Sequence, residues 1–401
     1  MKTFFDRVLL FDGSMGALLG QMGYDAACAD EMTVTHPEVI RGIHEKYIAS
    51  GADVVISDSF GSTEMALAHK KRAGRGAEFA RRAVEIAREA AGTKALVAAD
   101  FGPTSEFMYP VGEKPMQAFY DTFHAQAMAI RDAGADFAII ETQTDAAECR
   151  AACLAIRDAG LPVAASFSIA SNGRTLTGSS PECCALMLEG VGAMALGLNC
   201  SSGPREMIAP LKKMRAVTAL PIITQPNAGL PQTAPDGSVF YPFGPDVFAE
   251  AVRPLLDAGA SAIGGCCGTT PAHIAALRPL AGGALPASEN EEENYICSMR
   301  SFITLEEALS AVEELDDPED AYDLDEDSTL GLLNLTGLSP EEAAEAAVLA
   351  ASATRTPLGF RAGSTDLEAL EAALRAYPGI AAVDAPASAS EILARYGAKR
   401  M

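Results

Sequence analysis

Eight short apolar runs recur along the chain, each closing in small or polar residues: VLLFDGSMG (8–16), DVVISDSFG (53–61), ALVAADFGP (95–103), FAIIETQT (137–144), PVAASFSIA (162–170), MALGLNCSSG (194–203), PIITQPNAG (221–229) and AIGGCCGTT (262–270). Between them lie alanine-rich stretches with the period of an amphipathic helix, among them EFARRAVEIAREAAG and PECCALMLEGVGA. Several of these finish in a glycine that feeds the next run, as in IASGADVV, RDAGADFAII and LDAGASAIGG, the expected C-terminal cap of a helix. Near-continuous apolar strands alternating with helices predict a parallel sheet covered on both faces. Eight such units over about 280 residues predict a closed (β/α)8 barrel, an α/β fold. An open doubly wound sheet would carry a glycine-rich phosphate turn after its first strand, and DGSMGALLG lacks that spacing.

The pattern changes after the eighth unit, which divides the chain into a barrel (1–285), an acidic linker (286–328) and a small α/β unit (329–401). The stretch EELDDPEDAYDLDEDST is poorly patterned and reads as a linker or mobile arm. Beyond it, LGLLNLTG, SPEEAAEAAVLAASA, TPLGF, TDLEALEAALRAYPG, IAAVDA and ASEILARYGA read as strand, helix, strand, helix, strand, helix. Ser339-Pro340-Glu341-Glu342 is a strong helix start, with an N-cap, a proline at the first position and early acids.

Of 401 residues, 49% are hydrophobic and 21% charged, a core-forming composition. Acidic residues outnumber basic ones 54 to 30, for a formal charge of −24. That field disfavours nucleic acid and anionic membrane as partners. No apolar run is long enough to span a bilayer, and the opening MKTFFDRVLLFDGSMG interrupts its apolar stretch with an acid and an arginine, unlike an export signal. Nine cysteines without framework spacing suggest reduced thiols and a cytoplasmic location.

A barrel enzyme builds its active site at the C-terminal ends of its strands. Those ends here carry Asp12, Ser57 with Asp58, Asp100, Glu141, Ser168, Asn199 with Cys200, Asn227, and the pair Cys266–Cys267. Adjacent side chains of a strand point to opposite faces, so the vicinal pair should not serve one site. The flanking Gly264, Gly265 and Gly268 let the backbone bulge or turn so that both sulfurs aim the same way, and Cys200, two strands away, supplies a third. Three thiolates suit Zn²⁺ and leave one of its four positions open. Such a centre favours holding another thiolate over making hydroxide, and the implied chemistry is alkyl transfer to a thiol. The competing readings are packed core thiols and a vicinal disulfide. Cys149, Cys153, Cys183 and Cys184 sit at helical spacings that suit packing, and Cys28 and Cys297 are isolated. Metal-dependent hydrolysis is a second class, but none of His36, His44, His69, His124 or His273 falls at a strand end.

Taken together, FDGSMGALL, GPTSE, ETQTD, GLNCSSGP, PNAG and GGCCGTTPAHI resemble the homocysteine S-methyltransferase family, in particular the homocysteine-binding barrel of cobalamin-dependent methionine synthases, over residues 5–283. The resemblance implies one Zn²⁺ held by Cys200, Cys266 and Cys267 as the catalytic centre, with the homocysteine sulfur at the open position and methionine as product. It further implies that Asp12 and Glu141 hold the amino-acid end of homocysteine, with Asn199 and Asn227 either contacting substrate or shaping their turns. The family usually has Thr-Asn-Thr-Phe-Gly after the second strand; here Ser57-Asp58-Ser59-Phe60-Gly61 adds a carboxylate. The tail resembles pieces of the pterin-binding barrel of the same enzymes, but it lacks the Gly-Glu-Arg-Thr-Asn opening and an aspartate expected near Phe360 and Arg361. It therefore reads as a truncated unit that does not bind folate. No Asp-x-His-x-x-Gly motif is present, so a corrinoid would come on a partner protein. The alternatives are a sulfonium or quaternary amine donor, and a non-catalytic accessory subunit of a corrinoid system.

Overall fold

The apolar runs become strands β1 (Leu9–Leu10), β2 (Val54–Ile56), β3 (Leu96–Phe101), β4 (Phe137–Gln143), β5 (Val163–Phe167), β6 (Ala195–Asn199), β7 (Ile222–Gln225) and β8 (Ala262–Ile263) in a computed structural model. It describes residues 4–25, 29–235, 237, 239–286, 293–325 and 327–401. Cys28 and residues 287–292 of the acidic stretch lie outside the described residues. The eight strands form one sheet in the order β1-β8-β7-β6-β5-β4-β3-β2, every neighbouring pair parallel. A parallel bridge between Phe11 and Val54 closes the cylinder. It is reinforced by Asp53 N–H donating to the Leu10 carbonyl at 2.7 Å and Asp12 N–H to the Val54 carbonyl at 3.1 Å. The fold is the (β/α)8 barrel that the eight-unit pattern predicts.

Strand alternation explains where the site lies. Leu9, Phe11, Val54, Ala98, Phe137, Ile139, Ala164, Ala195, Ile223 and Ala262 form one buried cluster filling the barrel. Their sequence neighbours Leu10, Val55, Ala99, Ala138, Ile140, Ala165 and Leu196 belong to the larger cluster under the helices. Two residues onward from the interior set, the same face carries Asp100 after Ala98, Glu141 after Ile139 and Ser166 after Ala164, and Asn199 closes β6. One end of the barrel is thus apolar and the other polar. Polar groups buried there need partners or a guest.

The surrounding helices follow their local signals. Gly76–Ala91 turns Phe79, Ala80, Ala83, Val84, Ile86 and Ala87 inward. Pro181–Gly190 begins at Ser180, whose hydroxyl accepts from Cys183 N–H, and it buries Cys183 and Cys184. Cys149 and Cys153 are buried on Ala146–Asp158, so these four thiols pack as helix-core residues. No helix among the described residues is long and apolar enough to cross a membrane.

The acidic stretch, read from sequence as a linker, holds defined elements. Strands β9 (Tyr295–Cys297) and β10 (Phe302–Thr304) form a hairpin. Then β11 (Val312–Leu315), β12 (Leu330–Asn334), β13 (Leu358–Arg361), β14 (Ala382–Asp384) and β15 (Lys399–Arg400) build a parallel five-stranded sheet in chain order. Its acids have local roles: Arg361 reaches Glu314 at 2.6 Å and Asp384 at 2.8 Å across three strands, and Asp317 caps the turn at Pro318–Tyr322. Composition reads these acids as solvated, whereas cross-strand pairing and capping use them. Ser339 begins its helix as the sequence predicts, its hydroxyl accepting from Glu342 N–H while the Glu342 carboxylate accepts from Ser339 N–H.

This sheet unit is fastened to the barrel. The buried Arg150 guanidinium donates to the carbonyls of Arg375 at 2.6 Å and Leu374 at 2.7 Å, at the end of helix Leu367–Ala376. Arg157 donates to the Arg395 carbonyl at 2.9 Å, and Arg395 pairs with Asp158 at 2.7 Å.

Candidate metal and substrate site

After Ile263 the chain leaves the extended conformation, so Cys266 and Cys267 lie in a turn where strand alternation no longer applies. Cys266 N–H donates to the Pro226 carbonyl at 2.9 Å, Ala228 N–H to the Cys267 carbonyl at 2.9 Å, and Cys267 N–H to Asn227 Oδ1 at 3.1 Å. The loop after β8 is therefore tied to the loop after β7. The glycines act mainly through close approach. A Cβ on Gly264 would stand 2.7 Å from Phe11 Cβ, and one on Gly265 2.5 Å from Thr269 Oγ1; Gly268 alone adds a left-handed φ of +79°. Thr269 Oγ1 accepts from Ser14 N–H at 3.2 Å, which joins this turn to the loop after β1.

Cys200 reaches the same place from β6 by a strained route. Cys200 and Ser201 have φ of 57° and 53°, a conformation costing roughly 1–2 kcal/mol per non-glycine residue. The strain is held by Cys200 N–H on the Gln225 carbonyl at 3.2 Å, Asn227 N–H on the Ser202 carbonyl at 3.0 Å, and a Ser168–Ser201 hydroxyl contact. Such outliers gather where neighbouring structure over-determines a working geometry. The sulfurs of Cys200, Cys266 and Cys267 all lie within 4.8 Å of one another, Cys200 and Cys267 at 3.9 Å. Tetrahedral Zn²⁺ with bonds of about 2.3 Å sets its sulfur ligands about 3.8 Å apart, so the three side chains fit that ion. Hydrogen bonds from Cys200 and Cys266 pull the Cys267 thiol well below the ordinary thiol range.

Carboxylates surround the sulfurs. Asp12 Oδ2 accepts from Ile56 N–H at 3.0 Å, and burial, with the charge of Glu141, still raises its carboxyl well above the usual range. Burial and then the charge of Cys267 push Glu141 up to about 7, with Asp100 opposing. Asp100 is likewise raised, by burial and then by Glu141. Burial and then Asp30 push Asp58 up to about 8, Lys70 opposing. Lys70 pairs with Asp30 at 3.0 Å. Carboxylates held in low dielectric without a matching cation favour a positively charged guest.

Asn199 is fully engaged inside the protein. Its Oδ1 accepts from Thr142 N–H and the Ser166 hydroxyl, both at 2.7 Å, and its amide donates to Thr142 Oγ1 at 2.8 Å and Glu141 Oε2 at 3.3 Å. Those four bonds exhaust a carboxamide. They also pin the irregularity in β4, where the register shifts between Ile140 and Gln143 and Thr142 has φ of 59°. Asn199 thereby orients Glu141, as Asn227 orients Cys267.

Sequence reasoning missed several contributors. Tyr241 packs its ring over Gly268, and its hydroxyl helps lower Cys267, yet it sits in an aperiodic loop that carries no signal. Tyr47 reads as a core residue of its helix, but its hydroxyl donates to the Ser14 carbonyl at 2.8 Å beneath the mouth. His273 is occupied elsewhere, with Nδ1 at Thr270 and Nε2 at the Phe243 carbonyl. His44, buried in its helix, is pushed down to about 4 by desolvation.

Residues 9–281 match the homocysteine S-methyltransferase family. The chain is similar to methionine synthase of Mycobacterium leprae, 31% identical over 328 residues, which cover 76% of this chain and 27% of that protein. It is also similar to methionine synthase of Mycobacterium tuberculosis, 32% identical over 288 residues, covering 67% and 24%. The chain thus spans about a quarter of the length of these relatives. Among solved structures, the metallated form of the Escherichia coli homocysteine methyltransferase MmuM superposes with a TM-score of 0.58 at 26% identity, covering 68% of this chain and 96% of that one. Its oxidised form gives 0.57 at 28% identity, with the same coverage. Since the match takes in more than half of the residues, the chain belongs to the homocysteine S-methyltransferase family.

Proposed function

We propose that this chain is a zinc-dependent methyltransferase that places a methyl group on the thiol of homocysteine, giving methionine. The observation that carries the reading is the convergence of Cys200, Cys266 and Cys267 from two separate strand ends to within 4.8 Å, at the polar mouth of the barrel. These three residues would hold Zn²⁺. When bound, that ion keeps the acceptor thiol deprotonated near neutral pH, where a free thiol with a pKa of about 8.5 is mostly protonated.

The chain's own residues do the rest. Asp12 and Glu141 take the ammonium group of homocysteine, Asn199 fixes the orientation of Glu141, and Asn227 fixes Cys267. The strained turn at Cys200 presets the trio, so little ordering remains to be done on binding. Two donors suit the reading: a methyl-corrinoid carried by a separate protein, as the methionine synthase relatives favour, and a sulfonium or quaternary ammonium ion that enters directly. Three reduced thiolates suit a cytoplasmic setting. We assign residues 1–285 to the catalytic barrel and 329–401 to a pterin-domain-like unit that takes no folate.

Metal analysis of the full chain purified under reductant, with calorimetric titration of homocysteine into the zinc-loaded protein, tests this. One zinc per chain and saturable homocysteine binding are expected. A protein that holds no zinc with the ion in excess overturns it.

A further inference from the structure

A second recess lies where the sheet unit of the tail meets the barrel, and two helices of like design build one side of it. EEAAEAAV places Glu341, Ala344, Glu345 and Val348 on one face of helix Pro340–Ala353. EALEAALR places Glu368, Glu371, Ala372 and Arg375 on one face of helix Leu367–Ala376. Both sets follow the i, i+3, i+4, i+7 spacing of a helix face. The helices follow consecutive strands of a parallel sheet and pack side by side, and each buries a separate apolar stripe, Ala343 and Ala347 on one, Leu370 and Leu374 on the other. Facing them, the barrel contributes Met108 and Tyr109 from the loop after β3 and Met116 at the start of the next helix. Together these groups line a cleft of about 870 Å³. Clefts of about 300–1,000 Å³ hold small molecules, and junctions between folded units are where they gather. None of the residues of the sulfur site lines this one.

The lining is apolar, and its charges do not balance. Four carboxylates stand against two guanidiniums, Arg375 and Arg395, and both guanidiniums are committed. Arg395 pairs with Asp158 at 2.7 Å and with Glu371 at 3.5 Å, and Arg375 stacks over the Tyr120 ring at 4.2 Å. Glu371 also accepts from the Tyr396 hydroxyl at 3.2 Å. Glu341, Glu345 and Glu368 have no ion-pair partner among the described residues. Exposed carboxylates are ordinary by themselves; here they rim an apolar cleft whose arginines are spent, so the charge offered to a ligand is negative. We propose that this cleft binds an organic cation with an apolar, aromatic body, at a site independent of the thiol chemistry. The body packs on Ala344, Val348 and Ala372, and its charge faces Glu341, Glu345 and Glu368. Contacts with the thioethers of Met108 and Met116, and with Tyr109, which is 42% exposed, favour an aromatic body over an aliphatic one. A folded partner fits less well. The helix faces at 341–348 and 368–375 run only about 10 Å, whereas a stable protein interface buries about 1,000 Å² or more.

The test uses the zinc-loaded full chain with two aromatic probes of opposite charge, cationic thioflavin T and anionic anilinonaphthalene sulfonate. Fluorescence reads affinity and calorimetry reads stoichiometry. Thioflavin T is expected to bind at one per chain, more tightly than the anionic dye, and to weaken as salt is added. Replacing Glu341, Glu345 and Glu368 together by glutamine is expected to weaken thioflavin T by roughly tenfold, the scale of three exposed ion contacts, and to spare the anionic dye. Ala344→Phe and Ala372→Phe each put a ring into the cleft and keep every charge; either is expected to cut thioflavin T affinity by roughly tenfold or more. Thermal midpoint and zinc content are measured on every variant, and if one phenylalanine variant fails to fold, the other carries the comparison. Three results would each overturn the proposal: no thioflavin T binding by the wild-type chain, tighter binding of the anionic dye, or undiminished thioflavin T binding by the triple variant or by a folded phenylalanine variant. None of them touches the thiol methyltransferase reading. A chain that takes up no zinc yet binds thioflavin T in the cleft overturns that reading alone.

Discussion

Replacing Asn199 by alanine removes one side chain that serves fold and site together. The residue is fully buried, and its loss strips the Thr142 N–H and the Ser166 hydroxyl of an acceptor, each at 2.7 Å. An unsatisfied buried backbone donor costs about 1–3 kcal/mol, and each further neutral bond contributes about 1 kcal/mol. Against this, Thr142 can relax from its φ of 59°, which recovers roughly 1–2 kcal/mol. The net loss over the four bonds is about 2–5 kcal/mol, and it falls where β4 delivers Glu141. Urea unfolding under reductant reads the stability. Titration of homocysteine into the zinc-loaded protein reads the site, with an affinity loss of about tenfold expected, about 1.4 kcal/mol. Zinc content is expected to stay at one per chain, since Asn199 touches none of the sulfurs. Stability within about 0.5 kcal/mol of wild type together with unchanged homocysteine affinity would refute the assignment of Asn199 as the group that holds Glu141.

Three other perturbations probe separate parts of the molecule. Cys200→Ser is expected to lower bound zinc from one equivalent to near zero, with far-ultraviolet circular dichroism unchanged; retention of the ion would show that the two turn cysteines suffice. Burial, opposed by the Thr104 N–H, pushes the Glu148 carboxyl up to about 7 from an ordinary 4.5. In that window the folded state holds a proton that the unfolded state has released, so its contribution is present below about pH 4.5 and is lost as pH rises through about 7. Glu148→Gln is expected to flatten the fall of unfolding free energy between pH 5 and 8 by on the order of 3 kcal/mol, read by urea titrations at each pH; an unaltered slope would exclude Glu148 as a contributor. Arg150→Met strands the carbonyls of Leu374 and Arg375 in the contact between barrel and tail, with an expected loss of about 2–4 kcal/mol. Limited proteolysis should then cut within residues 355–401 first, and a resistant tail would show that the clamp is dispensable.

The barrel was legible because its signal is local and repeated. Eight apolar runs with glycine-capped helices between them leave few alternatives, and the step from Ile139 to Glu141 or from Ala98 to Asp100 marks the polar end within a single strand. The acidic stretch misled, since composition cannot show that its Glu314, two strands away from Arg361, joins Asp384 of the adjacent strand in pairing with that arginine. The cysteine pair was legible only in part. The glycines around it signalled a departure from the strand, but their main work lies in close approach to Thr269 of the same turn and to Phe11 and Tyr241, which come from other parts of the chain.

By itself, then, the amino-acid sequence determined the cylinder, the end at which polar side chains gather, and the three thiols that reach it, because strand and helix periods are set by residues a few positions apart. Only the tertiary structure decided that Asn199 is spent on Thr142, Ser166 and Glu141, that Asn227 holds the Cys267 backbone, that Tyr241 lies against the sulfur turn, and that Asp58 and Asp100 keep orphaned oxygens. Those roles depend on hydrogen bonds and close packing between residues tens to hundreds of positions apart, and such pairings exist only once the barrel has closed and brought its loops to one rim.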